Sequence, residues 1–137
     1  MALLRSIPLF VIVLLIYNAL MLTGNIHGTL SSNILGVDLP SGAHWSLNVS
    51  ELLIVIGVIT LYLEIFKATR TSMSSVLDHS LSMVVFVVFL LEFVMVANAG
   101  TSAFFILTLM SLLDVVAGFT VTIVAARRDF GFGNPDL

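Results

Sequence analysis

Four apolar stretches divide this chain, at 7–23, 49–66, 81–97 and 103–126. Each is close to the ~20 residues that a helix needs to cross ~30 Å of hydrocarbon. Inside lipid no water can satisfy backbone N–H and C=O groups, so an open strand is excluded and all four stretches read as helices. Composition agrees: 59% of the residues are hydrophobic and 9% are charged, with mean hydropathy +1.17. Soluble domains carry about 25% charged residues, so this chain has too few polar groups to cover a surface facing water. The expected fold class is all-α: a polytopic membrane protein with four transmembrane helices in one antiparallel up-down bundle over 1–137.

Local signals mark helix starts. Pro8 suits a first helical turn, where its missing N–H costs nothing. "NVSE" (48–51) reads as a capping box, with Asn48 as the cap, Glu51 reaching back, and Leu47 and Leu52 placed for a hydrophobic staple. "SVLD" (75–78) is a less complete version before the third helix. The first stretch is expected to remain in the protein, because it exceeds the usual 7–15-residue core of a signal peptide and no A-x-A site follows it.

The basic residues set orientation. Arg5 precedes the first helix, Lys67 and Arg70 follow the second, and Arg127 and Arg128 follow the fourth, so four crossings put all five on one side. By the positive-inside rule both termini are cytoplasmic and the 24–48 segment is periplasmic, as in a bacterial inner membrane. A net charge of −3 with five basic residues gives no basic stripe for nucleic acid. The absence of cysteine excludes disulfides and thiolate metal sites.

The 24–48 segment is rich in Gly, Ser and Asn, with "LPSG" as a turn signal, and is expected to be a loop. Ile34, Leu35, Val37 and Leu39 form an apolar patch suited to lipid headgroups or a partner, and Trp45 sits where interfacial aromatics belong. His27, Asp38 and His44 are the nearest approach to a metal-ligand set. Their spacing matches no compact ligand motif, so no metal is expected. "NVS" (48–50) fits a glycosylation pattern, but at a helix mouth it is better read as the cap. "NAGT" (98–101) is a tight hairpin joining antiparallel neighbours. No internal repeat, phosphate loop, nucleophile elbow, zinc-protease or haem pattern occurs, so neither an enzyme nor a cofactor is expected. Tyr17 and Tyr62 look isolated.

The remaining signal is polarity inside the apolar stretches. Helix rise puts Asn18 and Glu92 about 8–9 Å below the outer helix ends, with Thr108 at similar depth. Asp114 and Glu64 lie about 20 Å in, nearer the cytoplasm, with Lys67 one turn from Glu64. Glu92 and Asp114 therefore belong to different layers. Ser50, Gly57, Thr60, Glu64 and Lys67 share one helical face. Thr108, Ser111, Gly118 and Thr122 mark another, with Asp114 beside it. Small and hydroxyl residues in such stripes permit close helix packing in lipid. "MVVFVVFLL" (83–91) has no such stripe and is expected to face lipid or pack through large side chains.

For most polar groups a structural role is sufficient. Asn18 suits an interhelical hydrogen bond, Glu64 and Lys67 an i, i+3 pair with Lys67 snorkelling outward, and His79 a solvated border position. Glu92 and Asp114 are costlier, at about 2.5–3.5 kcal/mol for a charge at a helix centre. No Arg or Lys lies at their depth in this chain, so each must be protonated, hydrogen-bonded, hydrated or paired with another chain. Two functions fit. The first is an accessory or assembly subunit that docks onto other membrane subunits or onto itself. The alternative is a small oligomeric transporter or channel moving protons or cations through Glu92, Asp114 and Glu64. The absence of a repeat, a broken helix or a pore motif favours the first.

Overall fold

The computed structural model describes residues 7–69 and 73–131, with backbone alone at 73–76, 125–126 and 128–131. Arg5, Arg70 and the Arg128 side chain lie outside the described residues. The elements run α1 (Phe10–Met21), α2 (Ile26–Ser31), β1 (Asn33–Asp38), β2 (His44–Asn48), α3 (Val49–Ala68), α4 (Met73–Met95), a single 3₁₀ turn at Ala97–Ala99 and α5 (Ser102–Gly131). The protein is mostly helical. Three helical segments are long and apolar enough to cross a membrane: Val49–Ala68, Leu77–Met95 and Ser102–Val124.

α1 is apolar but shorter than the 7–23 stretch implies. Its 12 residues rise about 18 Å, short of ~30 Å of hydrocarbon. The chain tightens after Met21: the Leu22, Thr23 and Gly24 N–H groups bond back three residues to Ala19, Leu20 and Met21. Gly24 then takes φ +79°, a conformation open to glycine because it has no Cβ.

The 24–48 segment is ordered rather than a loop. Asn25 caps α2 by accepting from the Gly28 N–H at 3.1 Å. β1 and β2 pair antiparallel, with Leu35 opposite Leu47, Val37 opposite Trp45 and Asp38 opposite His44, and a register irregularity between Asn33 and Leu35. The turn closes through Leu39 N–H to Ala43 O and Gly42 N–H to Leu39 O, both 2.9 Å, with Gly42 at φ +84°. A small β-ribbon is thus appended to an otherwise helical chain. Its alternation is broken by Gly36 and by adjacent Ile34 and Leu35, so the period-2 signal that marks a strand is missing.

α3 begins at the capping box. The Asn48 carboxamide oxygen accepts from Glu51 N–H, and Glu51 Oε2 accepts from Asn48 N–H, each at 2.9 Å. α4 begins at Met73, eight residues before the expected 81, so Ser75 and Asp78 lie inside the helix and "SVLD" does not mark its start. α5 runs on to Gly131, past the expected 126.

α5 is the central helix, packing along both α3 and α4, while α1 lies across α3 and α4. The core is aromatic. Phe10 meets Phe89 edge-on at 6.3 Å between centroids, Phe89 meets Phe104 at 5.3 Å, and Tyr17 meets Phe104 at 4.6 Å. Such tilted pairs bring ring edges onto ring faces, which the aromatic quadrupole favours. The outer faces are apolar: Val58, Ile59 and Tyr62 on α3, Val84 and Leu91 on α4, and Val116 and Ile123 on α5 are all exposed. An apolar exterior of this extent suits lipid as the surrounding solvent. α4 does present Val85 and Phe89 inward, so "MVVFVVFLL" divides between a lipid face and large-residue packing.

Candidate functional site

Two polar clusters lie within the bundle, one near each end. In the outer one, Asn18 on α1 and Glu92 on α4 face each other, and Asn18 Nδ2 donates to the Glu92 carboxylate at 2.9 and 3.2 Å. The same nitrogen donates to the Leu14 carbonyl at 3.0 Å, so both of its hydrogens are used. Thr108 takes no part in this pair, because its hydroxyl donates to the Phe104 carbonyl of its own helix at 2.8 Å. Tyr17 is the unexpected member of this end. It is fully buried, and its hydroxyl lies 2.6 Å from Thr101 Oγ1 and donates to the Asn98 carbonyl at 3.4 Å. Tyr17 therefore pins α1 to the hairpin between α4 and α5. Tyr62 stands on the exposed face of α3, stacked on Phe66.

The inner cluster gathers groups from α3, α4, α5 and the segment before α1. Glu64 is 5% exposed and accepts a hydrogen bond from the Leu9 N–H. Lys67 Nζ lies 3.8 Å from Glu64 Oε2 and 3.2 Å from Asp78 Oδ2, and it donates to the Ile7 carbonyl at 3.4 Å. Lys67 is thus a bridge between helices rather than a snorkelling partner of Glu64 alone. Asp114, 5% exposed, is hydrogen-bonded to the Ser82 hydroxyl and lies within electrostatic reach of Glu64, Lys67 and Asp78. Lys67, expected as the partner of Glu64, thus also comes within electrostatic reach of Asp114. These contacts put the start of α1, the end of α3 and the start of α4 at one end of the bundle.

The small-residue stripes face these same interfaces. Gly57, Thr60 and Glu64 are buried on α3, and Gly57 faces Leu107 and Met110 of α5. Thr108, Ser111 and Asp114 are buried on α5. Gly118 faces the His79 ring on α4, while the Thr122 hydroxyl donates to the Gly118 carbonyl at 3.0 Å. His79 is not a solvated border residue: it is 6% exposed and packs 5.8 Å from the Phe119 ring. Extending α4 backwards to Met73 buries it. Asp78 and Ser82, which sequence reasoning missed, continue the face of Val85 and Phe89 at helical spacing. That periodicity was the available signal.

The three weak metal candidates divide. Asp38 Oδ1 and His44 Nδ1 lie 2.6 Å apart across the ribbon, both well exposed. His27 sits on α2, lining a shallow pocket of about 210 Å³ with Leu30, Asn48, Ser50 and Thr101. Among the described residues no three His, Cys, Asp or Glu side chains are grouped to hold a metal ion. Compared with protein-family models, curated proteins and solved structures, the chain matches none.

Proposed function

We propose that this chain is a four-span membrane protein of a bacterial inner membrane, with both termini cytoplasmic, acting as an accessory subunit of a larger membrane complex. The orientation rests on the basic residues. Lys67 stands at the end of the bundle where α1 begins, and the sequence carries Arg5 before α1, Arg70 between α3 and α4, and Arg127 and Arg128 towards the end of α5. α1 reaches across the bilayer only with help from its flanking turns or from local thinning, which short spans induce.

The observation that carries the docking role is the ribbon. Leu35, Val37 and Trp45 on the strands and Leu39 in the turn are each 42–49% exposed there, and among the described residues the two strands pair only with each other. A two-stranded ribbon is marginally stable alone, and its free edges offer unpaired N–H and C=O groups to another chain. A partner subunit covering it would supply both strand pairing and apolar burial. The buried acids carry less of this argument than their sequence positions imply, because Glu92, Glu64 and Asp78 find partners within the chain. The test is a photo-cross-linking residue at Leu35 or Trp45 in intact membranes, with Val58 on the lipid face as control. Discrete protein adducts from the ribbon positions and none from Val58 are expected. Adducts to lipid alone from the ribbon would refute docking.

A second reading, proton- or cation-coupled transport by an oligomer, draws on the excess of carboxylates over ammonium groups in the inner cluster. It requires proton or cation flux in vesicles containing the purified chain, and their absence would remove it.

A further inference from the structure

Two carboxylates, Glu64 and Asp78, flank the Lys67 ammonium at 3.8 and 3.2 Å, and a third, Asp114, lies within electrostatic reach of all three. Fully ionised, the group would carry two uncompensated negative charges inside a bundle surrounded by hydrocarbon. Burying unpaired charge of this kind is strongly unfavourable, and one of several crowded carboxylates then holds a proton. The hydrogen bonds single out where. Asp114 Oδ2 is buried and has no hydrogen-bond partner among the described residues, in a side chain on a residue only 5% exposed. Asp78 Oδ1 is likewise without a partner there, but Lys67 already compensates its other oxygen at 3.2 Å. Glu64 is engaged by the Leu9 N–H and Lys67. Asp114 is hydrogen-bonded to the Ser82 hydroxyl and lies within electrostatic reach of Glu64, Lys67 and Asp78. His79 lies at this end too, on the α4 face that meets Gly118. Among the described residues no three His, Cys, Asp or Glu side chains are grouped to hold a metal ion there.

We propose that Asp114, together with Glu64 and Asp78 around Lys67, forms a proton-binding site holding one exchangeable proton. The O–H bond forms at Asp114 Oδ2 with a proton from bulk water, and its release regenerates the carboxylate and hydrated proton. The neutral carboxyl keeps its Ser82 hydrogen bond and removes one of the two excess charges. The site does not depend on the docking role. The transport reading needs it, but absent flux would remove transport and leave the site intact.

The test is infrared spectroscopy of the full chain in lipid vesicles, with ¹³C in the aspartate carboxyl groups. In mildly acidic buffer a carbonyl band of a protonated, labelled carboxyl group is expected, shifting on transfer to D₂O and disappearing in Asp114→Asn. Ser82→Ala, which removes only the hydrogen bond, should shift that band while keeping it. This variant carries the test if Asp114→Asn does not insert. The proposal is overturned by the lack of any such band, by its persistence in Asp114→Asn, by its indifference to Ser82→Ala, or by its loss when sodium replaces choline in the buffer. The last result would mean a cation site instead.

Discussion

Replacing Gly118 by alanine should loosen α5 from α4, and the neighbouring atoms set the scale. A Cβ at this position would lie 2.6 Å from His79 Cε1 and 3.1 Å from His79 Cγ. The imidazole is no flexible tip: Cγ is attached directly to its Cβ, the residue is 6% exposed, and Phe119 stands beside it. Overpacking a site that cannot yield costs about 1–3 kcal/mol. That is roughly a 5- to 140-fold fall in the folded population, at tenfold per 1.4 kcal/mol. The usual gain from replacing a helical glycine does not offset it, because separated helices in lipid remain helical. Gly57→Ala is the informative contrast. Its Cβ would meet Leu107 Cδ2 at 2.6 Å and Met110 Sδ at 2.9 Å, both ends of flexible chains that can rotate away. Reversible unfolding in mixed detergent–lipid micelles should therefore show Gly118→Ala well below wild type, with Gly57→Ala and Val87→Leu near it. His79→Ala should relieve Gly118→Ala, giving a non-additive double-mutant cycle. Wild-type stability of Gly118→Ala, or strict additivity with His79→Ala, would refute the packing argument.

Other expectations follow from single contacts. Reporter fusions should place Met1 and Leu137 in the cytoplasm and Ser41 outside; a cytoplasmic signal at Ser41 would overturn the four-span arrangement. Tyr17→Phe keeps the ring on Phe104 and removes the hydroxyl from Thr101, so it should cost about 0.5–1.5 kcal/mol in the same unfolding assay; no change would show that this hydrogen bond does not hold α1. Asn18→Ala removes the donor facing Glu92 and should cost about 0.6 kcal/mol, and no more than about 1.7. A larger loss would mean that Glu92 is left charged without compensation. Asn48→Ala removes the α3 cap and should lower stability by about 0.5–2 kcal/mol, while Ser41→Ala in the ribbon turn should leave it unchanged.

Much of the candidate site was legible because helical periodicity is rigid. Gly57, Thr60 and Glu64 fall on one face at fixed spacing, and they are buried together on α3. Rise per residue alone separates the level of Glu92 from that of Asp114. What misled was the treatment of boundaries and of residues taken singly. His79 reads as a border residue and Asp78 as part of a helix-start signal because the apolar run starts at 81, yet α4 starts at Met73 and carries both inward. Tyr17 looked isolated because its partners, Asn98 and Thr101, lie more than 80 residues away.

By itself, the sequence determines that the chain is helical and too apolar for water, since hydrocarbon leaves an unpaired backbone no other choice and composition needs no contacts to be read. It also determines the capping box at Asn48 and Glu51, because a cap is made by residues three apart. The tertiary structure alone decides which side chains meet. Lys67 bridges Glu64 to Asp78, Asn18 meets Glu92, Gly118 meets His79, and Gly57 meets Leu107 and Met110. Those pairings depend on how each helix is rotated and offset against its neighbours. Rotation and offset are set by the summed packing of many side chains, of which Tyr17, Phe10, Phe89 and Phe104 are the largest fully buried ones among the described residues. No local pattern encodes that sum.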